Sequence, residues 1–247
     1  MQSHDDYIVV IPARYDSSRL PGKPLIKISG IEMLLRTFNR CKEVVDAKKI
    51  FVATDNLMIE DFCISNNIQV VMTSDKCLTG TDRVAEVSKK IYAPVYINVQ
   101  GDEPILNPKD LLDLINQSLD DPSSIFNGYC QIEDESQYFS KNIPKVIFAE
   151  NKDLLYMSRA AIPFSKSGDF KMSYRQVCIY GFPREALAIF SKNKEKTFFE
   201  MNEDIEILRF LELGCKIKMI EMSSDSVAVD IPDDILKVEK ILKLENG

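Results

Sequence analysis

Histidine is nearly absent from this chain: one residue, His4, in 247. It stands in a polar stretch near the start that reads as a solvated tail, so a Ser-His-Asp triad, a Cys-His pair and a His-ligated metal are all excluded. Cysteine is present but unpatterned. The six residues at 41, 63, 77, 130, 178 and 215 form no C-x-x-C pair and no zinc or disulfide spacing, so buried free thiols are expected. Positive charge is in deficit, 31 Lys and Arg against 38 Asp and Glu, a net charge of -7. That gives no general electrostatic reason to bind nucleic acid, and any phosphate site must be local. No stretch approaches the roughly 20 apolar residues that span a bilayer. The opening MQSHDDYIVVIPAR runs from an acidic stretch into a strand-like one without the basic and apolar regions of a secretory signal. The expectation is a soluble, cytoplasmic protein whose chemistry rests on carboxylates, Lys, Arg and a metal ion.

At 45% hydrophobic residues the chain can bury a full core, and its length suits one α/β domain. Val- and Ile-rich runs at Tyr7 to Pro12, Ile50 to Ala53, Val70 to Met72 and Val95 to Val99 alternate with helical-period segments at Met33 to Val44, Met58 to Asn66 and Asp82 to Ile91. Another helix follows Pro108. This alternation predicts a Rossmann-like, mostly parallel sheet with helices on both faces. Beyond Ser124 the pattern loosens: strands are expected at Ser124 to Ile132, Lys145 to Ala149 and Val177 to Phe182, helices at Arg184 to Ser191 and Glu203 to Leu213, then a last strand and helix. No repeat or linker divides residues 1–247, so they read as a single domain, about 7–120 forming a nucleotide-binding half and about 121–247 an acceptor half.

In open parallel sheets ligands bind beyond the carboxyl ends of the strands. There the first strand is followed by ARYDSSRLPGKPL, in which Arg14, Arg19 and Lys23 accompany Ser17, Ser18 and Gly22. Cations on a flexible strand-to-helix turn suit a polyphosphate, although a solvated basic loop would look the same. The G-x-x-x-x-G-K-[ST] spacing of a Walker loop is lacking. The fourth strand ends in VQGDEP, where Gly101 would let the backbone approach a ligand and Asp102 is placed as a Mg²⁺ ligand. Asp230, closing the apolar run of VAVDIPDD, is its best distant partner. Either aspartate alone would more often be a helix cap than a metal ligand.

The blocks IPARYDSSRLPGKPL (11–25), VATDN (52–56), TGTDR (79–83), NVQGDEP (98–104), YMSRAAIP (156–163), IYGF (179–182), EDIEILR (203–209) and VDIPDD (229–234) occur in the order found in the CMP-Kdo synthetase family, which the chain resembles over nearly its whole length. The resemblance implies a fold of the nucleotide-diphospho-sugar transferase type and transfer of CMP from CTP to a 3-deoxy-2-ulosonic acid for bacterial surface polysaccharide, including lipopolysaccharide. It implies that Arg14 and Lys23 hold the triphosphate, that Ser17, Ser18 and Arg19 shape the loop, and that Thr81 and Arg83 lie on the nucleotide side. Asp102 and Asp230 would bind Mg²⁺ and Gln100 would contact the sugar. Arg159, Gln176, Tyr180, Glu203 and Glu206 would line the sugar pocket, with Arg159 offering paired N–H donors to its carboxylate. Glu203 and Glu206, with Arg209 three residues on, could instead form a solvated ion-pair face. A homodimer is expected by resemblance alone.

The sequence departs from that family at four places. Gln176 replaces a usual His and Cys178 a usual Gly near IYGF, while Cys77 replaces a His and Thr79 a Ser in the third block. Gln176 can donate and accept hydrogen bonds but carries no charge, which would suit a modified acid such as an amino-substituted Kdo. The alternatives are CMP activation of a nine-carbon sialic-type acid and a silent nucleotide-binding relative. A sugar-1-phosphate nucleotidyltransferase would usually open with a G-x-G-rich loop, which is missing here.

Overall fold

A computed structural model describes residues 2–4, 6–16 and 20–245. Strand β1 (Tyr7–Pro12) lies at the centre of the parallel part, between β4 (Val95–Val99) and β2 (Ile50–Thr54), with β3 (Gln69–Met72) outside β2. β1 is buried on both faces. Ile8 and Val10 enter one core with Phe51, Ala53 and Tyr96, while Val9 and Ile11 enter another with Val52, Ile97 and Val99. This two-sided burial explains why these runs are continuously apolar rather than alternating.

Helices α1 (Met33–Lys42), α2 (Leu57–Ser65) and α4 (Pro108–Asp120) cover the Val9 face through Leu34, Phe38, Ile59, Cys63, Leu111 and Leu114. Helix α3 (Gly80–Lys90) packs Val84 and Val87 on the other face. Asn56 and Asn107 cap α2 and α4, each accepting a backbone N–H, and Thr79 caps α3 in the same way.

The second half extends the sheet with antiparallel strands. The long strand β8 (Tyr174–Pro183) pairs antiparallel with β4 along one edge and with β5 (Ile125–Gln131) along the other, and β9 (Ile217–Glu221) runs parallel to β5. β6 (Lys145–Phe148) joins β8 beside β4 and carries β7 (Leu154–Ser158). The β8–β5 register shifts between Val177 and Tyr180. Asn127 fills that irregularity, its Nδ2 donating to the carbonyls of Val177 at 3.0 Å and Ile179 at 2.9 Å. Helices α5 (Glu135–Phe139), α6 (Arg184–Phe190), α7 (Phe198–Glu203), α8 (Ile207–Glu212) and α9 (Pro232–Glu245) complete the chain.

Three expectations are corrected. The helix expected over 203–213 is broken, because Asp204 takes a left-handed φ of 51° that closes α7 before α8 begins. Arg209 does not belong to an exposed ion-pair face. Fully buried, its guanidinium grips Glu200 twice at 2.6 Å and Asp82 at 2.9 Å, and lies 3.8 Å from the centroid of the Phe190 ring. His4 is not a solvated tail residue: its ring packs edge-on to Phe51, 5.8 Å away. Of the six cysteines, all are free; Cys41, Cys63 and Cys130 are buried, and the rest are half-buried. Among the described residues no helix is long and apolar enough to cross a membrane.

Removing one partner of a buried ion pair strands the other charge in a poor solvent. Arg209→Met should therefore lower the unfolding free energy by about 3–5 kcal/mol, measured by urea denaturation. A loss under about 1 kcal/mol, the value of an exposed pair, would contradict this role.

Candidate active site

The order β3-β2-β1-β4 places the chain reversal between β1 and β4, where open α/β sheets bind ligands. A cleft of about 970 Å³ opens there. Its floor is made by the loops after β1 and β4. Gly101 is required at that join: a side-chain carbon there would stand 2.9 Å from the Pro12 carbonyl oxygen, so glycine lets the two loops lie against each other.

In the first loop, Gly22 takes a φ of 70°, which glycine accepts without strain, and starts the tight turn Lys23–Leu25 with Pro24 buried behind it. The turn aims Lys23 across the floor. Its Nζ lies 2.6 Å from Asp102 Oδ2 and 3.2 Å from Asp230 Oδ1. Burial lowers the lysine's pKa, but the two carboxylates outweigh it and hold the value above the ordinary one. Asp230 reaches this point because a small separate core of Leu20, Ile28, Met33, Ile105, Val229, Val238 and Leu242 packs α9 against the first loop. The backbone N–H of Val229 then donates to the Asp102 carbonyl at 2.9 Å. Arg14 is exposed and lines the same cleft; Ser17, Ser18 and Arg19 lie outside the described residues.

The two aspartates can be tested as a metal site. Their oxygens already converge on one cationic nitrogen, both side chains keep about a third or less of their surface exposed to the cleft at 28% and 32%, and no third His, Cys, Asp or Glu completes a cluster among the described residues. Two carboxylates with open positions fit Mg²⁺, which keeps water and phosphate oxygens in its shell.

On the nucleotide side, the remaining candidates serve the framework. Thr81 is buried and does not line the cleft; its N–H and hydroxyl donate to Glu206. Arg83 borders the cleft but is committed to Asp55 at 2.5 Å, Thr73 and the Ser74 carbonyl, tying together the loops after β2 and β3. Gln100 lies over Gly80 at the cleft wall.

The acceptor wall differs from the expectation in its charges. Arg159 donates Nε to the Glu203 carbonyl at 2.6 Å, Nη1 to the carbonyls of Lys141 and Asn142, and Nη2 to that of Asp204. Paired donors for a carboxylate are thus not free on Arg159 in this arrangement, although the side chain borders the cleft. Glu203 accepts from the Ser158 hydroxyl at 2.6 Å and the Arg159 N–H at 2.8 Å. Glu206 caps α3, accepting from the N–H groups of Gly80 and Thr81 and from the Thr81 hydroxyl. Burial is the largest influence on Glu206 and raises its pKa against those donors. Neither acid forms a solvated ion-pair face.

Gln176 and Tyr180 do meet in the cleft. Because both protons of Asn127 Nδ2 go to backbone carbonyls, Asn127 Oδ1 must accept; Gln176 Nε2 donates to it at 2.9 Å and to the Tyr180 hydroxyl at 3.2 Å. This leaves the Gln176 carbonyl oxygen as the acceptor facing a ligand. Burial raises the pKa of Tyr180 and of Cys178 beside it well above their usual values, so both stay protonated.

Sequence reasoning passed over Arg175, Glu103 and Lys145. Arg175 lines the cleft and, among the described residues, hydrogen-bonds through Nη2 to the carbonyls of Ser224 and Ser226. Lys145, fully buried, donates to the carbonyls of Ser140, Ile143 and Arg159 at 2.6, 2.7 and 2.6 Å and so fixes the loop at the acceptor wall. Burial, then the charge of Arg159, brings its pKa down to about 8. Lys145 stands in a run, PKVIF, that reads as an ordinary strand.

Known proteins place this geometry. A family model described as cytidylyltransferase matches residues 8–219. The 3-deoxy-manno-octulosonate cytidylyltransferase of Escherichia coli is 34% identical across 96% of each chain, and that of Protochlamydia amoebophila is 36% identical across 97% of this chain and 95% of its own. This chain belongs to that family. A solved structure of a CMP:2-keto-3-deoxy-manno-octonic acid synthetase complexed with CTP superposes with a TM-score of 0.89 at 33% identity, covering 97% of this chain and 99% of that one. A 4-diphosphocytidyl-2C-methyl-D-erythritol synthase from Anaerococcus prevotii, 16% identical with a TM-score of 0.64, shares the fold. Within the cytidylyltransferase family frame, the mostly parallel sheet expected from the sequence is the observed one.

Glu103, next to Asp102, is 3% exposed, and the Ser226 hydroxyl donates to it. Burial and then the Asp102 charge push its pKa from 4.5 up to about 7. Below pH 4.5 both folded and unfolded forms carry the proton. Between 4.5 and about 7 only the folded form holds it, so stability is lost as pH rises through that window. In metal-free buffer, the unfolding free energy should fall by up to roughly 3 kcal/mol across it, and the Glu103→Gln variant should lack this slope. Parallel pH profiles for the two proteins would contradict the assignment.

Proposed function

We propose that this protein couples CTP to a 3-deoxy-2-ulosonic acid, Kdo or a modified Kdo, releasing pyrophosphate and the CMP-sugar. The observation that carries the reading is the meeting of Lys23, Asp102 and Asp230 at the strand reversal, in a cleft that Arg14 and the polar acceptor residues also line. In this reading Arg14 and Lys23 neutralise the triphosphate, and Asp102 and Asp230 hold Mg²⁺. When bound, that ion neutralises phosphate charge and lowers the pKa of a nearby hydroxyl. The sugar's anomeric 2-hydroxyl attacks the α-phosphorus in line: its oxygen forms the new P–O bond, its proton passes to solvent water, and the bond from the α-phosphorus to the bridging oxygen breaks, its electron pair leaving with pyrophosphate. Positioning and charge neutralisation supply most of such a reaction, which accords with a cleft that contains no histidine.

On the acceptor side, Gln176 offers an oxygen that accepts from a hydroxyl or an ammonium, so the reading includes an amino-substituted acid. Arg175, whose Nε and Nη1 have no hydrogen-bond partner among the described residues, is the better placed partner for the sugar carboxylate than Arg159. The reading extends to a cytoplasmic location and a role in surface polysaccharide synthesis, which the family resemblance supports. It also includes a homodimer, supported by exposed apolar side chains at Leu155 of β7 and at Phe198, Phe199 and Met201 of α7; a sedimenting mass of one chain would refute it.

The test is pyrophosphate release from CTP and Mg²⁺ with Kdo, its 8-amino analogue and a sialic acid in turn. Release with Kdo or the analogue and none with the sialic acid is expected. Asp102→Asn should reduce release at least a thousandfold while leaving the melting temperature nearly unchanged. Release only with the sialic acid would sink the proposal, as would full activity in the variant.

A further inference from the structure

The two carboxylates read above as metal ligands already share a cation. Lys23 Nζ is 2.6 Å from one and 3.2 Å from the other, and the lysine side chain is only 13% exposed. Its backbone is fixed by the Gly22 turn and the Gly22 N–H donating to the Tyr15 carbonyl at 3.0 Å, whereas its four-carbon stem has several rotatable bonds. A divalent ion held by the same two oxygens would sit within a few ångströms of the ammonium, where repulsion between two cations in a half-buried site is large. The ammonium must move, and it needs another anion to move to.

We propose that Lys23 is a tethered cation that excludes free divalent ions from Asp102 and Asp230, so that the metal enters only together with the nucleotide triphosphate. The inference rests on reading these aspartates as the metal ligands. Phosphate oxygens give the ammonium new partners, and the vacated carboxylates receive the metal, so no charge is left unpaired at any stage. The ligand the site takes is then the metal–nucleotide complex rather than either part in sequence. In the free protein the lysine also keeps two facing carboxylates from repelling each other.

The test is Mn²⁺ binding to the full chain, followed by the electron paramagnetic resonance of free Mn²⁺, with and without CTP and against CTP alone. Wild type should bind Mn²⁺ weakly without CTP. Lys23→Met should bind it at least tenfold more tightly without CTP, and adding Asp230→Asn to that variant should abolish the gain. Lys23→Gln, which keeps hydrogen-bonding capacity between the acids, should show the same direction of change should the methionine variant prove unstable in thermal melts. Lys23 variants that bind free Mn²⁺ no better than wild type, while Asp102→Asn still weakens Mn²⁺ binding in the presence of CTP, would overturn the gating role and leave the metal ligands standing. If no protein binds Mn²⁺ beyond what CTP alone binds, the metal assignment fails, and the proposal with it.

Discussion

The contact of one lysine with two aspartates joins points in the chain 79 and 207 positions apart, and most of the structure can be understood as the means of bringing them together. β1 and β4 must be neighbours, so that the loops leaving them touch at the Pro12–Gly101 contact. The last helix must return across the sheet, which it does on its own small core. Partly buried ion clusters of this kind contribute little net stability, because desolvation offsets the attraction. Their value here is positional: they collect opposite charges where a triphosphate and a metal can rearrange them.

The acceptor wall is held by a second set of committed polar groups. Glu206 caps α3, Arg209 links α7 and α8 to Asp82 of α3, and Lys145 gathers three carbonyls. These contacts use up charges that sequence patterns offer as ligands, and they leave a smaller group facing the cleft. What remains is a neutral surface of Gln176, Tyr180 and Cys178 with Arg175 at its side. Such a surface orients a polyhydroxylated acid by hydrogen bonds and leaves charge neutralisation to the opposite side of the cleft.

The parallel half was legible because β1, β2 and β4 are buried on both faces and α2, α3 and α4 each begin at a side-chain cap. β1 and β4 match the expected Tyr7–Pro12 and Val95–Val99 at both ends. The meeting of Lys23, Asp102 and Asp230 was legible only as three strand-end residues and a family resemblance. Illegible were features set by distant partners. The break at Asp204 falls within an unbroken helical pattern, and no glycine marks its left-handed turn. Arg159 looked available because the carbonyls that occupy it lie between 17 and 45 residues away. The direction of the Gln176 amide depends on Asn127, 49 residues earlier on another strand.

The central claim is that the cleft joins the acid's anomeric oxygen to the α-phosphorus of CTP. Its most direct test uses Kdo labelled with ¹⁸O at the anomeric hydroxyl, with the CMP-sugar read by ³¹P nuclear magnetic resonance. The account predicts the isotope-shifted signal of a labelled P–O bond on the CMP phosphorus and none on pyrophosphate. A product phosphorus without the label, or label in pyrophosphate, would show that the bond forms elsewhere and would contradict it.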